Sequence, residues 1–144
     1  MLLQSLREQV VLFSQKMLRS GLTHGTGGNI SALDRASGLI AITPSGIDYE
    51  AITTRDICVV NGAGKQIDGI YTPSSELEMH LLCYARRPEF AAVVHTHSTF
   101  ATVLSCMHRS LPAIHYLIGY VGGEVRCMDY ALFGSCLLYT SRCV

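Results

Sequence analysis

Two histidines one residue apart, His95 and His97, close the apolar run Phe90-Ala91-Ala92-Val93-Val94. Successive side chains of a β-strand alternate faces, so residues two apart point the same way and lie within reach of one ion. On a helix the same pair would diverge by roughly 200° at 3.6 residues per turn. A strand here makes His95-Thr96-His97 a candidate metal-binding pair. The competing reading is a strand end with one core and one surface histidine. An acidic residue, Glu76, stands on the first turn of a helix introduced by Thr72-Pro73-Ser74-Ser75. A carboxylate there either complements the helix dipole or points into the space a ligand would occupy.

Three loops have the composition of anion contacts. In Gly25-Thr26-Gly27-Gly28-Asn29 the glycines permit positive φ and close backbone approach, which serves a tight turn or a cradle for an anion. This loop lacks the Gly-Lys-Ser/Thr ending of a P-loop and is not a GxGxxG, so it gives no support to nucleotide binding. Thr43-Pro44-Ser45-Gly46 sets a hydroxyl beside a glycine. The Ser74 and Ser75 hydroxyls and the open N–H groups of the helix start suit a phosphate.

The elements that must position these residues follow from periodicity. Over residues 2–20, Leu3, Leu6, Val10, Phe13 and Met17 recur three and four apart, with Arg7, Glu8, Gln15 and Lys16 between them. This spacing predicts a packing helix, ended by Gly21. Ile30–Leu33 and Leu39–Ile42 read as strands around a turn at 34–38. Ile57–Val60 and Lys65–Ile67 read as a hairpin turned by Asn61-Gly62. Ser75 as N-cap with Glu78 as its capping-box partner opens a second helix that buries Leu77, Leu81, Leu82 and Ala85 and closes at Arg86-Arg87-Pro88. A short helix over 99–107 and a strand or extended segment over 113–118 follow. His24, His80, His108 and His115 have no metal spacing to one another and read as ordinary polar positions.

The bulk numbers bound the function. At 144 residues the chain has the length of one domain, enough to bury roughly two-thirds of its unfolded surface. Eleven basic and eleven acidic residues cancel, and with no basic run nucleic acid is not an expected partner. The six cysteines form no CxxC pair, and Arg7 and Glu8 stand where a secretory signal would need apolar residues. Reduced thiols and a cytoplasmic location are therefore expected. No stretch approaches the 18 or more apolar residues of a membrane span.

Taken in order, Gly25-Thr26-Gly27-Gly28-Asn29-Ile30-Ser31, Thr43-Pro44-Ser45-Gly46, Pro73-Ser74-Ser75-Glu76, His95-Thr96-His97 and Ala113-Ile114-His115-Tyr116 resemble the class II aldolase and adducin head-domain family. Each motif is short, and it is their shared order that makes the resemblance specific. It implies an α/β fold, a three-layer αβα sandwich around a mostly antiparallel sheet, incomplete at the C-terminus. It also implies a Zn²⁺ ion, a sugar-phosphate substrate and a homotetramer with active sites at subunit interfaces. Carried over by residue, His95, His97 and Glu76 would bind zinc, and Glu76 would also be the catalytic acid/base. Gly28, Asn29, Ser45, Gly46, Ser74 and Ser75 would hold the phosphate, and Tyr116 would donate a proton in a neighbouring subunit's site.

Within the family the pattern is most similar to the L-fuculose-phosphate aldolases. That implies cleavage of L-fuculose 1-phosphate to dihydroxyacetone phosphate and L-lactaldehyde through a metal-stabilised enediolate. Ribulose-phosphate 4-epimerases and methylthioribulose-phosphate dehydratases share every motif used, and adducin-like heads are non-enzymatic interaction modules. The resemblance runs from residue 1 to 135 and stops at Cys136-Leu137-Leu138-Tyr139-Thr140-Ser141-Arg142-Cys143-Val144. Those nine residues read back as TGT CTC TTA TAC ACA TCT AGA TGT GTA, an inverted repeat of a transposase end used in sequencing libraries. Residues 136–144 are accordingly expected to be a non-native tail, which resequencing the locus would test. Family members carry a third zinc histidine farther along, so the chain without it is expected to be inactive or nearly so.

Overall fold

Five short apolar runs assemble into one antiparallel sheet in the computed structural model, which describes residues 1–131; the expected tail at 136–144 lies outside them. The strands are β1 (Asn29–Asp34), β2 (Leu39–Ile42), β3 (Cys58–Val60), β4 (Gln66–Asp68) and β5 (Ala92–His95). Their order is β4-β3-β2-β1-β5, and every neighbouring pair is antiparallel. The period-2 alternation of side chains gives this sheet two apolar faces. Ile30, Ala32 and Ala41 pack with Val10 and Met17 of helix α1 (Gln4–Arg19). Ile40, Ile42, Cys58 and Val60 pack on the other side with Leu77, Leu81 and Tyr84 of helix α2 (Leu77–Arg86). The result is the expected αβα layering. Helix α3 (Thr99–Cys106) and a 3-10 helix (Tyr116–Val121) complete the described chain.

Helix α1 ends as a Schellman motif. The Gly21 N–H donates to Leu18 O at 3.0 Å and the Leu22 N–H to Met17 O at 3.2 Å, with Gly21 at φ +67°. Its buried stripe differs from the expected one: Arg7, Val10, Ser14 and Met17 are buried, whereas Phe13 is half exposed. The cause is Arg7, whose guanidinium reaches through the core to donate to Leu2 O (2.8 Å), Thr54 O (3.2 Å) and Ile57 O (2.7 Å) and to pair with Asp68. Those carbonyls and the charge pair turn the helix so that an arginine faces inward. Arg7→Leu strands buried acceptors and is expected to lower unfolding free energy by about 2–4 kcal/mol, read from urea denaturation.

Three expectations are corrected. Ser75 is not the N-cap residue: α2 starts at Leu77, and Glu76 occupies the N-cap position without a side-chain cap of its own. Ser74 takes over the turn, its hydroxyl accepting from the Glu76 N–H at 3.2 Å and its carbonyl from the Leu77 N–H at 3.0 Å. The extended segment expected over 113–118 is in part the 3-10 helix, because the His115 ring accepts the Leu117 N–H at 3.3 Å and initiates the turn. Strand β5 stops at His95, so His97 lies in the loop before α3. No helix among the described residues is long and apolar enough to cross a membrane.

Candidate metal centre

The β1–β5 register places Asn29 opposite His95 and Ser31 opposite Val93, so Asn29, Ser31 and His95 share the sheet face that α2 covers. Glu76, His80 and Tyr84 recur every four residues along that helix and its cap, which puts them on one stripe above the same strand. His97 arrives by a different route. Its backbone N–H donates to Leu22 O at 3.0 Å, tying it to the chain just past the end of α1.

These placements bring three donors together. His95 Nε2 lies 3.1 Å from His97 Nε2 and 3.2 Å from Glu76 Oε2, and the set as a whole lies within 4.8 Å. In a tetrahedral site with metal–ligand bonds of about 2.0–2.1 Å, adjacent donors stand roughly 3.3 Å apart. The two imidazoles meet nearly edge-on, at 82°, so both ring nitrogens aim at one point rather than stacking. Burial pushes His95 below the ordinary imidazole range, the Glu76 carboxylate opposes this, and His97 adds to the lowering. A depressed pKa keeps His95 neutral, which is the metal-binding form. The residues present thus fit a divalent cation, with three protein donors and at least one position left for another ligand.

A buried chain of polar groups stands behind this centre. Asn29 Nδ2 donates to Glu76 Oε2 at 2.7 Å, and Asn29 Oδ1 lies 2.5 Å from His80 Nε2. His80 Nδ1 lies 2.6 Å from Ser31 Oγ, which lies 2.7 Å from the Tyr84 hydroxyl. Burial drives the His80 imidazole down to about 4, with His95 adding in the same direction. Burial also raises the Tyr84 phenol to about 12, partly offset by Ser31. Both groups are therefore neutral near pH 7. Reading the histidines by mutual spacing missed His80, Ser31 and Tyr84. The available signal was the four-residue step from Glu76 through His80 to Tyr84, which marks one helix face.

The site residues expected from sequence mostly converge. Gly28, Asn29, Ser45, Gly46, Ser74, Ser75, Glu76 and His97 line one cavity of about 300 Å³, and His95 stands beside Glu76 at its edge. Tyr116 does not line it; it sits on the 3-10 helix with 78% of its surface exposed. Gly28 adopts φ +67°, and a Cβ there would stand 2.6 Å from His95 O. The Tyr49 hydroxyl holds the same turn by donating to Gly28 O at 2.5 Å. Gly28→Ala is thus expected to cost about 2–4 kcal/mol in stability through strain and backbone collision. Gly62→Ala, whose Cβ meets nothing within 4 Å, should change stability by under about 1 kcal/mol, with thermal melts of the two variants as the measurement.

The chain is similar to known proteins over most of its length. Residues 8–143 match the family described as the Class II Aldolase and Adducin N-terminal domain. The chain is 47% identical over 135 residues to a 5-deoxy-D-ribulose 1-phosphate aldolase of Bacillus thuringiensis serovar kurstaki, covering 94% of this chain and 63% of that protein. It is 42% identical over 131 residues to an L-fuculose phosphate aldolase of Escherichia coli K12, covering 90% and 60%. A solved structure of L-fuculose 1-phosphate aldolase superposes with a TM-score of 0.89 at 42% identity, over 94% of this chain and 64% of that one. The chain therefore spans a little over three-fifths of the length of these relatives. On the match over residues 8–143 and on these likenesses, the chain belongs to the class II aldolase and adducin family.

Proposed function

We propose that this chain carries the metal and phosphate sites of an aldolase that cleaves a ketose 1-phosphate to dihydroxyacetone phosphate and a short aldehyde. The observation that carries this reading is the meeting of Glu76 and His97, members of a three-donor cluster with His95, with Ser45, Ser74, Ser75 and the Gly28 turn around one cavity. The relatives are named for 5-deoxyribulose 1-phosphate, L-fuculose phosphate and 5-methylthioribulose 1-phosphate. As 1-phosphates, these ketoses share the phosphate, C1 and the C2 ketone, and they differ at the far end. Of the candidate substrates, 5-deoxy-D-ribulose 1-phosphate ranks first on the 47% identical relative, and L-fuculose 1-phosphate second.

In this reading Glu76, His95 and His97 hold zinc. The bound ion supplies Lewis-acid stabilisation of the negative charge that develops at the C2 oxygen as the C3–C4 bond breaks. Backbone N–H groups of the Gly28 and Gly46 turns and the Ser45, Ser74 and Ser75 hydroxyls grip the phosphate, assisted by Asn29. Binding energy from the nonreacting end then orients C3 and C4. Glu76 returns a proton to C3 once the aldehyde has left. Tyr116, exposed beside Leu117, Tyr120 and Val121 on one segment, reaches the site of a neighbouring copy in a homotetramer, where it takes up the C4 hydroxyl proton as the C3–C4 bond breaks and, in the condensation direction, donates that proton to the aldehyde oxygen. The enzyme works in the cytoplasm.

A panel of 5-deoxy-D-ribulose 1-phosphate, L-fuculose 1-phosphate and L-ribulose 5-phosphate, with dihydroxyacetone phosphate detected enzymatically, tests the assignment. Release of dihydroxyacetone phosphate from a ketose 1-phosphate, lost on chelation and restored by zinc, is the expected result for a protein that also carries the family's third zinc histidine, and the 144 residues by themselves are expected to release little or none. Epimerisation of L-ribulose 5-phosphate without cleavage of the others would replace the aldolase reading with the epimerase one. Failure of the protein to bind either zinc or dihydroxyacetone phosphate would favour an adducin-like interaction module.

A further inference from the structure

We propose that His80 is a positioning residue for the metal centre, aiming the Glu76 carboxylate through the side chain of Asn29. This rests on the reading of Glu76, His95 and His97 as metal ligands, and it concerns a residue that touches none of the reacting atoms.

The argument follows the donors. An ionised carboxylate only accepts hydrogen bonds, so the Asn29 atom 2.7 Å from Glu76 Oε2 must be the amide nitrogen. A flip of that amide is nearly isosteric and would set Oδ1 against the carboxylate, pushing Glu76 away. What forbids the flip is His80 Nε2, 2.5 Å from Asn29 Oδ1. It does so only as an N–H, because a bare ring nitrogen would repel the carbonyl oxygen. That tautomer leaves Nδ1 bare, and the hydroxyls behind it can supply the proton it then accepts. His80 Nδ1 accepts from the Ser31 hydroxyl at 2.6 Å, and Ser31 in turn accepts from the Tyr84 hydroxyl at 2.7 Å. Every donor direction from Tyr84 to Glu76 is thereby determined.

The chain of polar groups is also shielded from solvent. His80 and Ser31 have no exposed surface, and Asn29 retains 5%. Four polar side chains between a helix and a sheet cost desolvation that apolar residues in the same volume would avoid, so a fully satisfied network in this place calls for a reason beyond packing. Its end on a metal ligand supplies one: partners behind a ligand orient it and tune its affinity. A role confined to anchoring α2 on β1 would move stability alone.

The test uses the full chain, zinc competition against a chromophoric chelator and ¹⁵N NMR of the imidazoles. His80→Leu fills the space without either hydrogen bond and is expected to lose about 10–100-fold in zinc affinity, while His80→Gln, which keeps an N–H toward Asn29, recovers to within about threefold of wild type. NMR is expected to show His80 as the Nε2–H tautomer in the wild-type protein. A folded His80→Leu protein with wild-type affinity, beside a His95→Ala protein that has lost zinc, would overturn the proposal and leave the metal reading intact. A wild-type protein that binds no zinc overturns both. An Nδ1–H tautomer overturns the proposal even where His80→Leu does not fold.

Discussion

Zinc affinity is expected to fall by about 10²–10³-fold in His95→Ala. Three donors share the ion, and the cluster sits at the mouth of a cavity where solvent replaces a lost imidazole imperfectly. Structural zinc sites with four ligands bind with about 10–16 kcal/mol, which assigns roughly 2.5–4 kcal/mol to each ligand. His95 is also the donor common to both short contacts, 3.1 Å to His97 and 3.2 Å to Glu76. Its loss leaves His97 and Glu76 without the group that spans them. His24→Ala, an exposed residue outside the cluster, should bind zinc as wild type does. Chelator competition reads both variants, and equal affinities would exclude His95 as a ligand.

The metal-free protein should lose up to about 3 kcal/mol of stability as pH falls from 6.5 toward 4, through His80 alone. The folded imidazole is held down to about 4 by burial, and by His95 next, against an ordinary value of 6.5. As pH drops through 6.5 the unfolded chain takes up the proton and the folded one does not, so the equilibrium moves toward unfolding. The contribution is present above 6.5 and is lost as pH approaches about 4, where the folded state protonates as well. His95 is shifted in the same direction and adds to the slope. Urea denaturation in the presence of EDTA at several pH values should therefore give a steeper dependence for wild type than for His80→Gln. Parallel curves would show that His80 does not carry it.

Much of the layering was legible because burial and alternation leave direct marks on a sequence. Leu39–Ile42 reads as a strand and is one, with the same bounds. The helix ended by Gly21 is there, closed by the left-handed turn that glycine permits. The buried stripe of α1 was not legible, because Arg7 faces inward only when Thr54, Ile57 and Asp68, about fifty to sixty residues away, supply acceptors. The start of α2 was misplaced by one residue: Glu76 rather than Ser75 takes the N-cap position, with the Ser74 hydroxyl and carbonyl organising the turn before it.

The amino-acid sequence by itself determined the donor types, the glycine turns that let backbone approach a ligand, and the order of motifs that marks the family. These depend on side-chain chemistry and on spacing within one segment. Tertiary structure decided which donors meet. His97 lies beyond its strand yet returns to His95 because Leu22 O holds it. Glu76 joins them from the N-cap of α2, and His80 becomes part of the site only through contacts with Ser31 and Asn29, about fifty residues away. Hydrogen-bond direction is a property of pairs in space, and no spacing rule along the chain carries it.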